Sequence, residues 1–255
     1  MAPSPTVDEK NDDIRAYYEG FADVYDQKHG VALYGQSYNF RQHYEPFLDK
    51  SLPRQGRALE LGCGTGYYMA WLANRGLDVT AIDISPKMVE LAQSRSPSAT
   101  CVVGDCQDPG AVLQPRDTTA QFDVIVGINT FSYYPEKQRA LINYNKLLAV
   151  GKKLVVIDMN GASLLYSIMA RMNKNEMRQW LPEISESSQH NLRRLLSAAG
   201  FEVERMEHFA FVPNGLAPLP AKCLIPLDVV LSSLSLFNSL AMRVAYIAVK
   251  AEDAG

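Results

Sequence analysis

The chain has 255 residues, 47% hydrophobic, with 25 lysines and arginines against 28 aspartates and glutamates, a length that suits one α/β domain with added elements. A net charge of −3 leaves no basic stripe to replace the counterions of a phosphate backbone, so no nucleic-acid partner is expected. Cys63, Cys101, Cys106 and Cys223 form no Cys-x-x-Cys pair and no cluster with histidine, so neither a zinc site nor a disulfide framework is expected, no metal is assigned, and a reducing cytoplasm is the default location.

Residues 1–13 are polar, carry prolines and lack an apolar signal core, and they read as a disordered tail ahead of a single domain over 14–255. Ile14, Tyr17, Tyr18, Phe21 and Tyr25 recur near helical spacing, which predicts helix over 14–29. A second helix is expected over 36–50, so that 14–50 form a helical cover. Strand and helix then alternate: strand 57–61, helix 66–75, strand 78–82, helix 86–94, strand 100–103, a short helix near 108–113, strand 122–128, helix 135–148 and strand 152–158. A helix over 188–199, an alternating strand over 201–207 and an apolar strand over 245–250 complete the pattern.

The most informative segment is Ala58-Leu59-Glu60-Leu61-Gly62-Cys63-Gly64-Thr65-Gly66, an apolar strand running into a glycine-rich turn. Asp83 follows about 20 residues later at the end of a second apolar run, the arrangement of a nucleotide-type βαβ unit. Gly62 and Gly64 remove Cβ atoms where a ligand can lie on the backbone. Asp83 stands where a carboxylate accepts hydrogen bonds from ribose hydroxyls. A dinucleotide fingerprint would place its third glycine where this chain has Tyr67, and Glu60 before the turn would repel a pyrophosphate while attracting an ammonium. No lysine with Ser or Thr follows the glycines, which excludes a P-loop. The ligand implied is a nucleoside without a phosphate tail.

Over residues 56–158 the chain resembles the class I S-adenosylmethionine-dependent methyltransferases. Leu59 to Gly66 is similar to their first motif, and Val79-Thr80-Ala81-Ile82-Asp83-Ile84-Ser85 to the second. Val103-Gly104-Asp105-Cys106 is similar to the third, and Gln121 to Val126 to the fourth strand. Leu147 to Val155 resembles the entry to the fifth strand, with Val150 and Lys152 where Pro and a second Gly are usual. The resemblance implies an α/β, Rossmann-like, seven-stranded and mostly parallel sheet with helices on both faces. It also implies S-adenosyl-L-methionine as cofactor and S-adenosyl-L-homocysteine as product. By that resemblance Glu60 holds the methionyl ammonium, directly or through water, while Gly62, Cys63 and Gly64 form the turn beside the methionine portion. Asp83 takes the ribose hydroxyls and Ile84 and Met88 pack on the adenine, although both also fit ordinary core. Asp105 accepts from the adenine amino group, or serves as a loop or helix-cap carboxylate, and the Cys106 N–H reaches a ring nitrogen. Asn129 contacts the cofactor near its methyl group through its backbone, and an N-terminal tyrosine such as Tyr25 closes over it.

Two insertions, 160–187 and 212–242, fall on the substrate side of such a sheet. The first is rich in Leu, Met and aromatic residues, which suits a lid over an apolar acceptor as well as plain helix packing. The second contains Leu227, Val229, Val230, Leu231, Leu234 and Leu236, interrupted by Asp228 and serines, so a transmembrane span is not expected. An amphipathic helix there serves as extra core, covers an apolar substrate, docks a second copy as a homodimer, or touches a membrane surface through 221–242. The expected activity is methyl transfer to a small apolar molecule, such as a natural-product or lipid-like intermediate. The alternative is a non-catalytic cofactor-binding partner or regulator. Among His29, His43, His190 and His208, none lies in a catalytic motif; His29, in the cover, and His190, after the first insertion, are the candidate bases.

Overall fold

A computed structural model describes residues 6–20, 22–29, 41–113, 121–172, 181–211, 218–232, 234–251 and 253. Its strands are β1 (Gly56–Leu61), β2 (Leu77–Asp83), β3 (Thr100–Val103), β4 (Phe122–Ile128), β5 (Leu148–Met159), β6 (Phe201–Phe209) and β7 (Arg243–Lys250). They form one sheet in the order β3-β2-β1-β4-β5-β7-β6. The first five run parallel, and β7 inserts antiparallel between β5 and β6. This is the mostly parallel α/β sheet expected from the sequence.

Helices cover both faces, which is why the central strands are near-continuous apolar runs. Side chains alternate along each strand. Ala58, Val79, Val124 and Val126 pack with Leu48, Met69 and Leu72 from α3 (Arg41–Ser51) and α4 (Tyr67–Asn74). Leu59, Leu61, Ile125 and Val156 pack on the other face with Tyr144 and Leu196, from α6 (Lys137–Leu147) and α9 (Gln189–Ala198). The remaining crossover helix, α5 (Pro86–Arg95), follows β2 and is capped by Ser85, whose Oγ accepts from the Met88 N–H at 3.3 Å.

The disordered tail expected over 1–13 is corrected from Thr6 onward. Helix α1 spans Val7–Glu19, and Thr6 and Glu9 form a capping box: the Glu9 N–H reaches Thr6 Oγ1 at 3.3 Å, and the Thr6 N–H reaches Glu9 Oε2 at 2.7 Å. Tertiary contacts hold it down. Lys10 Nζ pairs with Glu183 Oε1 at 2.6 Å, and buried Ile14 packs with Met159, Tyr166 and Ile184. The helix predicted over 14–29 is therefore two pieces, α1 and, after a 3-10 turn at Ala22–Val24, α2 (Tyr25–His29). The start of the helix predicted over 36–50 falls on residues 36–40, outside the described residues; α3 begins at Arg41. Thr6→Ala should cost about 1 kcal/mol of local stability through the lost cap. The expected readout is faster amide exchange in the first turn of α1 with unchanged protection in β1 and β4.

The two insertions contain α7 (Leu164–Met172) and α8 (Leu181–Ser185), then α10 (Pro218–Ser232). Buried Asp228 anchors α10, accepting the Phe211 N–H at 2.7 Å and facing His43 Nε2 at 2.6 Å. Leu227, Val229, Val230, Leu234 and Leu236 are exposed. Among the described residues, no helix is long and apolar enough to cross a membrane.

Candidate active site

The carboxyl ends of β1, β2, β3 and β4 open on one side of the sheet, where ligands of open α/β sheets bind. The turn after β1 is held by hydrogen bonds from the Gly62 and Cys63 N–H groups to the Ile82 carbonyl, at 2.8 and 3.2 Å. Gly64 has φ +52°, and a Cβ built there would meet nothing nearer than Tyr25 Cε1 at 3.9 Å. Its bare backbone therefore faces open space, as a ligand-bearing turn requires.

Asp83 joins this turn to the end of β2. Its Oδ2 accepts the Gly64 N–H at 2.8 Å and its Oδ1 the Ser85 N–H at 3.0 Å. Burial pushes its carboxyl upward, and the N–H groups of Ser85, Gly64 and Ile84 oppose that shift without reversing it. Asp105, beyond β3, accepts the Gln107 N–H at 2.8 Å and the Asn11 side-chain amide at 2.9 Å, so α1 closes that end. Asn129, just after β4, has φ +55°, a left-handed conformation that asparagine tolerates better than most residues.

These elements surround a cavity at the carboxyl ends of the strands. Of the residues expected from the sequence, Tyr25, Gly62, Gly64, Asp83, Ile84, Met88, Asp105, Cys106 and Asn129 line it. Asn11, Ile14, Tyr18, Ile128, Thr130, Tyr133 and Tyr134 also line it and were not expected. Among the described residues, two carboxylates and no lysine or arginine are in the lining, which suits a cationic ligand.

Glu60 and Cys63 stand behind the wall instead of in it. Glu60 is buried and its Oε2 has no hydrogen-bond partner among the described residues. Burial, then Cys101 and Asp83, push its carboxyl well above the ordinary carboxylate range. Cys63 Sγ lies 3.3 Å from Cys101 Sγ.

Of the two candidate bases, His190 is not brought to the cavity. His190 is exposed on α9 and is absent from the lining, a correction to its candidacy. The His29 side chain lies outside the described residues. His43 stacks on Phe209 beside Asp228, and burial, then Arg193, push buried His208 downward. Burial raises the phenols of Tyr18, Tyr133 and Tyr134, which makes them hydrogen-bond donors in place of bases. Among the described residues, no group of three or more His, Cys, Asp or Glu is placed to hold a metal ion.

Comparison with known proteins agrees with this geometry. The profile of a methyltransferase domain family matches residues 34–205. YqeM of Bacillus subtilis (strain 168), a methyltransferase by name, is 32% identical over 53% of this chain and 51% of its own length. The magnesium-protoporphyrin O-methyltransferase of Rhodobacter capsulatus is 36% identical over 35% of this chain and 40% of its own. The chain thus spans about half or less of the length of these curated relatives. In fold it is similar to magnesium protoporphyrin IX methyltransferase from Synechocystis PCC 6803 with bound SAH, at a TM-score of 0.60 and 18% identity, over 94% of this chain and 99% of that one. With two thirds of its sequence matched by the family profile, the chain belongs to the methyltransferase domain family, among the class I S-adenosylmethionine-dependent methyltransferases.

Proposed function

We propose that the chain transfers a methyl group from S-adenosylmethionine to a small, largely apolar acceptor. The observation that carries this reading is the convergence of Gly64, Asp83, Asp105 and Asn129 on one cavity at the carboxyl ends of β1 to β4. The residues fit the cofactor. Each Asp83 oxygen accepts one backbone N–H and keeps a lone pair for a ribose hydroxyl. Glu60 Oε2, without a hydrogen-bond partner among the described residues, suits an ammonium reached across a water. When bound, the cofactor supplies an already activated sulfonium methyl.

The protein's part is then to bind, align and keep water out. Ile84 and Met88 offer apolar faces to the adenine, and Tyr18, Tyr25 and Tyr133 form an aromatic cover whose rings contact one another. The apolar acceptor is supported by Ile14, Ile128 and these tyrosines in the lining. Tyr166 and Ile184 of the first insertion buttress that cover, packing with Ile14 of α1.

Calorimetric titration with S-adenosylmethionine, followed by an S-adenosylhomocysteine release assay over an acceptor panel, tests the proposal. Binding of NAD in its place would refute the cofactor. Binding without turnover on any acceptor would favour a regulatory binder.

Glu60 provides a pH test. Burial raises its carboxyl, and pairing with an ammonium would favour the ionised form. Cofactor binding should therefore release a proton, and affinity should tighten as pH rises toward the raised value, by at most about tenfold per pH unit. The same shift makes the free protein lose stability as pH rises from the ordinary carboxylate range through the raised one. Calorimetry in buffers of different ionisation enthalpy reads the proton directly, and Glu60→Gln should abolish its release. Proton uptake by the wild-type protein would contradict this role.

A further inference from the structure

The hydrogen bonds behind Asn129 have a forced direction. Arg243, at the start of β7, donates from Nε to the Tyr44 hydroxyl oxygen at 3.0 Å. A guanidinium has donors and no acceptor, so Tyr44 must accept there and spend its single proton elsewhere. That proton goes to Asn129 Oδ1, 3.1 Å away. Tyr44 is 1% exposed and sits in the core between Tyr68 and Phe209, so bulk water does not compete for it. The Asn129 amide is therefore locked with its oxygen toward the protein, a choice that follows from the donors themselves.

Its Nδ2, with two N–H groups, makes no hydrogen bond among the described residues and is not a sealed buried atom. Asn129 lines the cavity, half-buried, on a backbone fixed by its N–H to the Ile157 carbonyl at 2.8 Å. The relay thus presents a pair of rigid donors to whatever lies beyond β4. The cationic end at Arg243 polarises the chain in the direction that strengthens those donors. Donors of this kind match an oxygen lone pair and oppose an ammonium, whose own N–H groups would point at them.

We propose that Asn129 is a specificity residue whose Nδ2 donates to an oxygen of the methyl acceptor, with Tyr44 and Arg243 as positioning residues, so that the site selects oxygen-functional acceptors over ammonium-bearing ones. The inference rests on the methyl-transfer reading of the cavity. The acceptor class it names is an apolar molecule carrying a phenol, enol or carboxylate.

The test uses the full chain saturated with S-adenosylhomocysteine, with phenol and acetate as oxygen probes and methylammonium as the contrast. The Asn129 side-chain amide signals, assigned by their loss in Asn129→Asp, should shift on titration with phenol or acetate and stay fixed with methylammonium. Asn129→Asp keeps an oxygen for the Tyr44 proton and removes both donors. It should weaken phenol binding about tenfold, the scale of one hydrogen bond. Tyr44→Phe should weaken phenol binding by a smaller factor, because the amide is freed to rotate.

Equal response to methylammonium, no response to either oxygen probe, or undiminished phenol binding in Asn129→Asp would each overturn the proposal. An amide shift produced by S-adenosylhomocysteine alone, unchanged by phenol, would assign the donors to the cofactor's own carboxylate and overturn it as well. If the wild-type protein fails to bind S-adenosylhomocysteine, the methyl-transfer reading fails, and the same titration of the free protein still decides whether Asn129 selects oxygen.

Discussion

Asp83→Ala is expected to weaken S-adenosylmethionine binding by about 2–4 kcal/mol, a factor of roughly 30 to 1,000. Two contributions add. In the proposed function the carboxylate accepts from ribose hydroxyls, and hydrogen bonds to a charged group contribute about 1.5–3 kcal/mol each. It also ties the glycine turn to the start of α5, through the Gly64 and Ser85 N–H groups. Removing it leaves those two N–H groups without their partner and loosens the surface on which the ligand would rest. Asp83→Asn separates the contributions, because the amide keeps one acceptor oxygen of the same size. It should retain more of the fold's stability than alanine while still losing affinity. Titration calorimetry, with thermal melts as the control for folding, reads both. A folded Asp83→Ala protein of unchanged affinity would remove Asp83 from the site.

The convergence of these residues on one cavity was legible because they sit at strand ends, where topology alone decides what meets. Gly64, Asp83, Asp105 and Asn129 are far apart in the chain, yet parallel pairing of β1 to β4 brings their positions to one edge. The cover was less legible. Asn11 lay in a polar stretch read as a tail, and the signal that could have recovered it was Thr6-x-x-Glu9 ahead of Ile14, a capping box that starts a helix. Tyr133 ends a short 3-10 turn after Asn129 and Tyr134 caps it, with no apolar period to mark them. Arg243 went unread for a related reason: the last strand was expected from residue 245, whereas pairing with Met159 extends it to 243. His190 misled because its place after the first insertion suggests a position near the cavity. His190 is chemically suited to be a base, but α9 packs on the sheet through Leu192 and Leu196 and leaves it in solvent.

The glycines of the turn divide by function, and two alanine substitutions should expose the division. Gly66 has φ +80°, and a Cβ there would lie 2.6 Å from Ala92 Cα and 2.9 Å from its Cβ. Those atoms belong to α5 and cannot swing aside, so Gly66 is required by the approach of α4 to α5. Left-handed strain of about 1–2 kcal/mol and overpacking of about 1–3 kcal/mol give Gly66→Ala an expected loss of roughly 2–5 kcal/mol. At this chain length that lowers the melting temperature by roughly 4–20 °C. Gly64 at φ +52° faces no such wall, only Tyr25 Cε1 at 3.9 Å. Gly64→Ala should therefore cost only the strain, about 1–2 kcal/mol, while its methyl group enters the cavity and weakens S-adenosylmethionine binding by more than about tenfold. The pair is informative because both residues are the same substitution in one five-residue turn. If Gly66→Ala melts like wild type, the close approach of α4 to α5 is wrong. If Gly64→Ala binds the cofactor like wild type, the ligand does not lie on this backbone, and the cavity serves a different molecule.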